Sequence, residues 1–311
     1  MAVQILLLLA GLALIVIGAD ILVEGSSAIA RKAGISEFVI GLTIVGFGTS
    51  CPELVVSLTG AFQGNADISV GNVLGSNIFN TLLILGLTAV VAPVGVTRAN
   101  SRRDIPNTLL VTLLFVFFAL SGSRIDRAEG IVFLLVFAVY LFYCFKTDTG
   151  TSHDAEEPRV RNGWLALLLV AAGLGGLIEG GRLFVNHATE IARTLGVSDK
   201  FIAITLLAGG TSLPELATCV VAAAKKRSQL ALGNVLGSNI FNILLILGAS
   251  AVVTPLSTLS ITPVDLGAAL LSVLLVWIWT AAGRRGRIDR WEGAVMLLVF
   301  AAYYCYLFMK L

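Results

Sequence analysis

Charge is what this sequence has least of. Asp, Glu, Lys and Arg make up 13% of its 311 residues. A solvated globular surface carries about twice that share, so a soluble domain is excluded. The net charge is +2, without a basic cluster outside the short loops, so no nucleic-acid partner is expected. Histidine occurs twice, at His153 and His187, and neither His-Glu-x-x-His nor Cys-x-x-Cys is present. That argues against a zinc or copper centre. The four cysteines, Cys51, Cys144, Cys219 and Cys305, all lie in apolar runs and read as free, buried thiols. No nucleophile–base pair or phosphate-handling cluster falls within the apolar runs, so the chain does not read as an enzyme and needs no cofactor. Met-Ala-Val-Gln puts no basic residue before the first apolar run, which reads as a first spanning helix rather than a cleaved signal peptide.

What is there is hydrophobic sequence: 57% of the residues, with a mean hydropathy of +0.94. A spanning helix needs about 20 apolar residues. The chain divides into ten such spans, at 4–24, 38–63, 70–91, 105–121, 127–145, 163–187, 199–224, 232–253, 264–282 and 289–310. The expected fold is an all-α membrane protein lodged in the cell membrane, with the bilayer as its main partner and no obligate protein partner evident. Lys and Arg set the orientation, because they stay on the cytoplasmic side. With the N-terminus outside, fifteen of them, from Arg31 to Arg290, fall in inner loops and five fall outside. Both termini are therefore expected outside and the polar linker 146–162 in the cytoplasm. Its Asp148, His153, Asp154, Glu156 and Glu157 read as a solvated loop rather than an ion site.

The sequence also repeats itself. Gly46-Phe-Gly-Thr-Ser-Cys-Pro-Glu53 recurs at Ala208-Gly-Gly-Thr-Ser-Leu-Pro-Glu215, an offset of 162. The same offset superposes Gly71-Asn-Val-Leu-Gly-Ser-Asn-Ile-Phe-Asn80 on Gly233–Asn242 without a mismatch. Near the end Arg124-Ile-Asp-Arg127 meets Arg287-Ile-Asp-Arg290. Residues 1–145 and 163–311 thus form two repeats of five spans. Five is odd, so the second repeat enters the membrane upside down. Inverted repeats place a substrate site at the midplane where they meet.

A carboxylate at membrane depth is costly and marks function. Pro52 and Pro214 cannot donate to the carbonyls of Gly48 and Gly210, and the nearby glycines make a local break easier. Broken backbone is tolerated there only in a cavity or inside protein. The motif therefore offers free carbonyls, the hydroxyls of Thr49 and Ser50, and one carboxylate: hard oxygens for a small cation. Ser76 shares a helix face with Asn80, as Ser238 does with Asn242, and recurrence beside the only deep carboxylates favours them as ligands. Asn72, Asn77, Asn234 and Asn239 could instead cap helices or bond between them. Asp20, Glu24, Glu179, Arg182, Asn186 and His187 read as interfacial, and Gly173–Gly176 with Gly180 and Gly181 as either close helix packing or a sliding surface.

Together these paired motifs resemble the two α-repeats of the cation/calcium antiporter superfamily, in particular the sodium/calcium exchangers. The resemblance covers all ten spans. It implies ten helices in two inverted repeats, with ions in a diamond-shaped cluster between helices 2, 3, 7 and 8. It also implies a calcium ion on Glu53, Glu215 and the carbonyls of Thr49 and Thr211. Sodium would use Ser50, Ser76, Ser212, Ser238, the carbonyls of Gly46 and Ala208, and the same two glutamates. Asn80 and Asn242 would lie at the centre. Relatives, including the potassium-dependent branch, place Asp at one of those two positions, so potassium is not expected to be required here. The expected function is sodium/calcium antiport by alternating access, at three Na⁺ per Ca²⁺. A proton-driven exchange of calcium or another divalent ion is the alternative, with a passive cation channel behind it.

Overall fold

The computed structural model describes residues 2–64, 66–148, 160, 162–196, 208–282 and 286–310. The fold is predominantly helical. We label its helices α1 (Ala2–Ala33), α2 (Glu37–Thr49), α3 (Cys51–Phe62), α4 (Ile68–Val91), α5 (Asn100–Ser121), α6 (Arg127–Thr147), α7 (Gly163–Thr194), α8 (Ala208–Gly210), α9 (Leu213–Ala224), α10 (Ser228–Val253), α11 (Pro263–Ala282) and α12 (Arg290–Lys310). Among the described residues eight helices are long and apolar enough to cross a membrane, and α2 with α3 forms a ninth candidate bent by 48°. The N-terminal part of the expected seventh span, 199–207, lies outside the described residues, as does most of the linker.

Helix ends follow local chemistry. Asp126 caps α6 by accepting from the Glu129 N–H at 2.9 Å, while Glu129 accepts from the Asp126 N–H at 2.8 Å, a reciprocal capping box. Asn162 caps α7. Two helices outrun the expected spans: α1 continues past residue 24 to Ala33, and α7 past 187 to Thr194. Hydropathy marks the part of a helix that sits in lipid, not where its hydrogen bonds stop. Arg31, Lys32 and Arg193 at the C-terminal ends favour continuation by facing the negative end of the dipole.

α1 packs along α7 through glycines. A Cβ on Gly11 would meet the carbonyl of Gly180 at 2.9 Å, and one on Gly18 that of Gly173, also at 2.9 Å. Such close approach needs small residues, and it realises the packing reading of the Gly173–Gly181 stretch. Gly86 meets Gly293 and Gly130 meets Gly248 in the same manner. Four two-residue strands, absent from the expected fold, tie the ends of the bundle. β1 (Val94–Gly95) pairs with β4 (Arg287–Ile288), and β2 (Arg124–Ile125) with β3 (Leu256–Ser257), both antiparallel. Two residues carry too little pattern to be legible as strands in a sequence.

Candidate functional site

The site is built on the two motif pairs. The helical ladder stops at Ser50 (φ −84°, ψ 4°) and at Ser212 (φ −90°, ψ 6°). Pro52 and Pro214 then occupy the first turn of α3 and of α9, where the missing N–H costs nothing. The expected break is therefore present in both halves. Each glutamate sits in the first turn of its new helix, where a carboxylate meets the positive end of the dipole. Upstream, α2 ends at Thr49 with carbonyls beyond their last helical donors.

The two breaks cross. The Ser50 hydroxyl donates to Glu215 Oε1 at 3.1 Å, and the Ser212 hydroxyl donates to Glu53 Oε1 at 3.2 Å. Each glutamate is about 1% exposed. The second oxygen of each, Oε2, is buried without a hydrogen-bond partner, as are Oδ1 of Asn80 and of Asn242 and the hydroxyl of Thr211. Thr49 is fully buried and donates to the Val45 carbonyl at 3.0 Å, with Asn234 Oδ1 at 3.2 Å. Ser76 and Ser238 are buried, and the Ser238 hydroxyl reaches the Gly46 carbonyl at 3.4 Å. Ala208 opens α8, which places its backbone one turn before the second break.

An orphaned buried acceptor costs about 1–3 kcal/mol, and native proteins keep few of them. Among the described residues both carboxylate oxygens that lack donors, and three of the four amide oxygens that do (Asn80, Asn239 and Asn242, but not Gln4), come from the paired motifs. Acceptors without donors are the ligand set of a hard cation, and Ca²⁺ takes six to eight oxygens. Among the described residues no three His, Cys, Asp or Glu come together.

A cavity borders one side of this cluster among the described residues. A cavity of about 780 Å³ is lined by Cys51, Pro52, Gly71, Asn72, Thr211 and Arg182, among others. Among the described residues, a Cβ on Gly71 or Gly75 would meet nothing within 4 Å. At the same positions of the second repeat, Gly233 lies hard against the Phe38 carbonyl and Gly237 against that of Leu42. The packed end is also tied by ion pairs. Lys225 Nζ lies 2.6 Å from Asp20 in a partly exposed pair, and the buried Arg227 pairs with the buried Glu37.

Several assignments change. Arg182 and Asn186 line the cavity rather than lying only at an interface. Cys305 is exposed and Cys51 half-buried, so only two of the four free thiols are buried; an apolar run facing lipid or a cavity leaves its thiols uncovered. The motif asparagines bond between helices: Asn72 donates to the Glu53 carbonyl at 3.2 Å and to Ser57 at 3.0 Å, and Asn234 donates to Cys219 at 3.2 Å. Ser57 and Cys219 were not among the expected residues. They occupy the same repeat position, and that shared position was the available signal. Wide helical turns at Phe79–Ile84 and Phe241–Leu247 follow the asparagine motifs, and such turns often mark functional sites.

Fold and site together define a multi-pass membrane protein with a buried, paired-carboxylate oxygen cluster. A family model described as sodium/calcium exchanger protein matches residues 3–146 and 165–309. The chain is 34% identical to the sodium/calcium exchanger MaX1 of Methanosarcina acetivorans, covering 98% of this chain and 99% of that one. It is 39% identical to the inner membrane protein YrbG of Escherichia coli over 80% of this chain and 79% of that one. A solved structure of the sodium-calcium exchanger NCX_Mj, soaked with zero Na⁺ and Ca²⁺, superposes with a TM-score of 0.85 at 34% identity, covering 98% of each chain. The chain belongs to the sodium/calcium exchanger family.

Proposed function

We propose that this protein is a transporter, not an enzyme, that exchanges Na⁺ for Ca²⁺ across the cell membrane by alternating access, without a cofactor. The observation that carries the reading is the crossed pair of glutamates, each with one oxygen held by the opposite repeat's serine and one left bare. In this reading Ca²⁺ takes Glu53, Glu215 and the carbonyls of Thr49 and Thr211. Sodium takes Ser50, Ser76, Ser212, Ser238, the carbonyls of Gly46 and Ala208, and the same glutamates. Because both ions need those carboxylates, they compete, and competition for a shared site is what couples antiport.

The ten spans form inverted repeats, residues 1–145 and 163–311, joined by a cytoplasmic linker at 146–162. Support comes from contacts that recur with the halves exchanged. Val94 pairs with Ile288 as Leu256 pairs with Ile125, and Gly11 meets Gly180 as Gly18 meets Gly173. With both termini outside, the large cavity faces outward and the Lys225–Arg227 turn closes the cytoplasmic end. Asn at both 80 and 242 leaves two carboxylates in the cluster, which favours a cycle independent of potassium.

The test is calcium uptake into proteoliposomes with and without an outward sodium gradient. Uptake should require the gradient and should not change when potassium is replaced by choline. Uptake driven by a pH gradient without sodium would overturn the reading in favour of proton exchange.

A further inference from the structure

The two central asparagines are repeat mates, yet their surroundings differ. Asn77 Nδ2 donates to the backbone carbonyl of Asn239 at 3.1 Å. A carbonyl can only accept, so this contact fixes which end of the Asn77 amide is its NH₂. Asn77 Oδ1 is thereby turned to Asn242, whose Nδ2 donates to it at 2.9 Å. With its NH₂ held in this way, Asn242 keeps its Oδ1 as a buried acceptor without a partner. In the other half the equivalent residue, Asn239, does not hold Asn80. Its Nδ2 donates to Thr81 Oγ1 at 2.7 Å instead, and among the described residues no hydrogen bond joins it to Asn80.

We propose that Asn77 is a positioning residue that locks Asn242 with its carbonyl oxygen presented to the transported cation, making Asn242 the preorganised central ligand and Asn80 the adaptable one. The inference rests on the cation-cluster reading above. Its physics is the amide dipole. An unlocked Asn242 can turn its NH₂ end toward a cation, which repels where the carbonyl attracts. Binding must then include the free energy of reorienting and holding the amide, and preorganisation removes that cost.

The experiment is a double-mutant cycle on the full chain in proteoliposomes, reading the sodium and calcium concentrations at half-maximal exchange. Asn77→Leu keeps the branched shape, with a somewhat larger volume, and removes both hydrogen bonds. It should raise both concentrations about five- to tenfold, the effect of roughly one hydrogen bond. Asn242→Ala should raise them too. In the Asn242→Ala background, Asn77→Leu should add almost nothing, since its effect passes through Asn242. An equal Asn77→Leu effect in both backgrounds would show a merely structural role and overturn the proposal. So would unchanged half-saturation in Asn77→Leu when Asn242→Ala is impaired; that pattern sinks the positioning role alone. If Asn242→Ala is itself unaltered, the assignment of Asn242 to the cluster fails first, and the positioning role with it. Thermal melting of each variant checks folding, and Asn77→Ser, too short to span the same contacts, replaces Asn77→Leu in the cycle if the latter does not fold.

Discussion

Glu53 and Glu215 face opposite demands. In the proposed cycle they supply the charge for bound ions; without ions they are two buried carboxylates, each held by a serine of the opposite half. Like charges held out of water repel and are costly to desolvate. Replacing one by glutamine removes half of the negative charge that offsets a divalent ion while keeping nearly the same volume. Glu53→Gln and Glu215→Gln should each abolish sodium-driven calcium uptake. They should not lower thermal stability in ion-free buffer, because a buried charge has been removed. The stabilisation that calcium gives the parent protein, which grows with ligand concentration over Kd, should disappear. Melting curves at stepped calcium concentrations read all of this at once, and a calcium-dependent shift of parental size in either variant would place the ion elsewhere.

At the level of helices, the same sequence motif sits in two environments. Gly233 and Gly237 on α10 touch the backbone of α2, while among the described residues Gly71 and Gly75 on α4 meet nothing within 4 Å. A methyl group on Gly237 must push the Leu42 backbone away, and overpacking of that kind costs about 1–3 kcal/mol. Gly237→Ala should therefore lower the melting temperature by several degrees. Gly75→Ala should lower it less, since among the described residues its methyl group meets nothing within 4 Å and alanine favours the helix by about 1 kcal/mol. If the packed and open ends exchange during transport, Gly75→Ala should nevertheless slow exchange, because its methyl group blocks closure of the open end. Parallel melts and uptake rates separate stability from turnover. Equal destabilisation by the two alanines would contradict the difference in packing.

For the whole molecule the decisive quantity is net charge moved. On the proposed site, one Ca²⁺ with two glutamates would be neutral, whereas three Na⁺ on the same pair would leave one positive charge. Moving one charge across the membrane is worth about 2.3 kcal/mol per 100 mV. Calcium entry coupled to sodium exit should therefore carry positive charge outward. An inside-positive potential should speed it and an inside-negative potential should slow it. Uptake into vesicles clamped with valinomycin and potassium measures this directly. Uptake indifferent to the clamp would point to an electroneutral exchange, as expected for two protons per calcium.

Much of this protein was legible before folding, because a bilayer imposes rules that act on sequence directly. Apolar runs must be helices, deep carboxylates must have a purpose, and prolines in spans must break them; the breaks at Ser50 and Ser212 sit where Pro52 and Pro214 required. The repeat offset likewise named Glu53, Glu215 and the asparagine motifs as partners across the two halves. The sequence could not say which backbone each of the two identical motifs packs against. Gly71 and Gly233 open the same decapeptide, and only the tertiary structure shows α2 lying against Gly233. Nor could it orient the amides. Asn77 and Asn239 are the same residue in the same decapeptide, yet one donates to a backbone carbonyl and the other to Thr81. Identical local sequence fixes local conformation in both halves. A single folded state must break the tie between them, and it does so through contacts between residues more than a hundred positions apart.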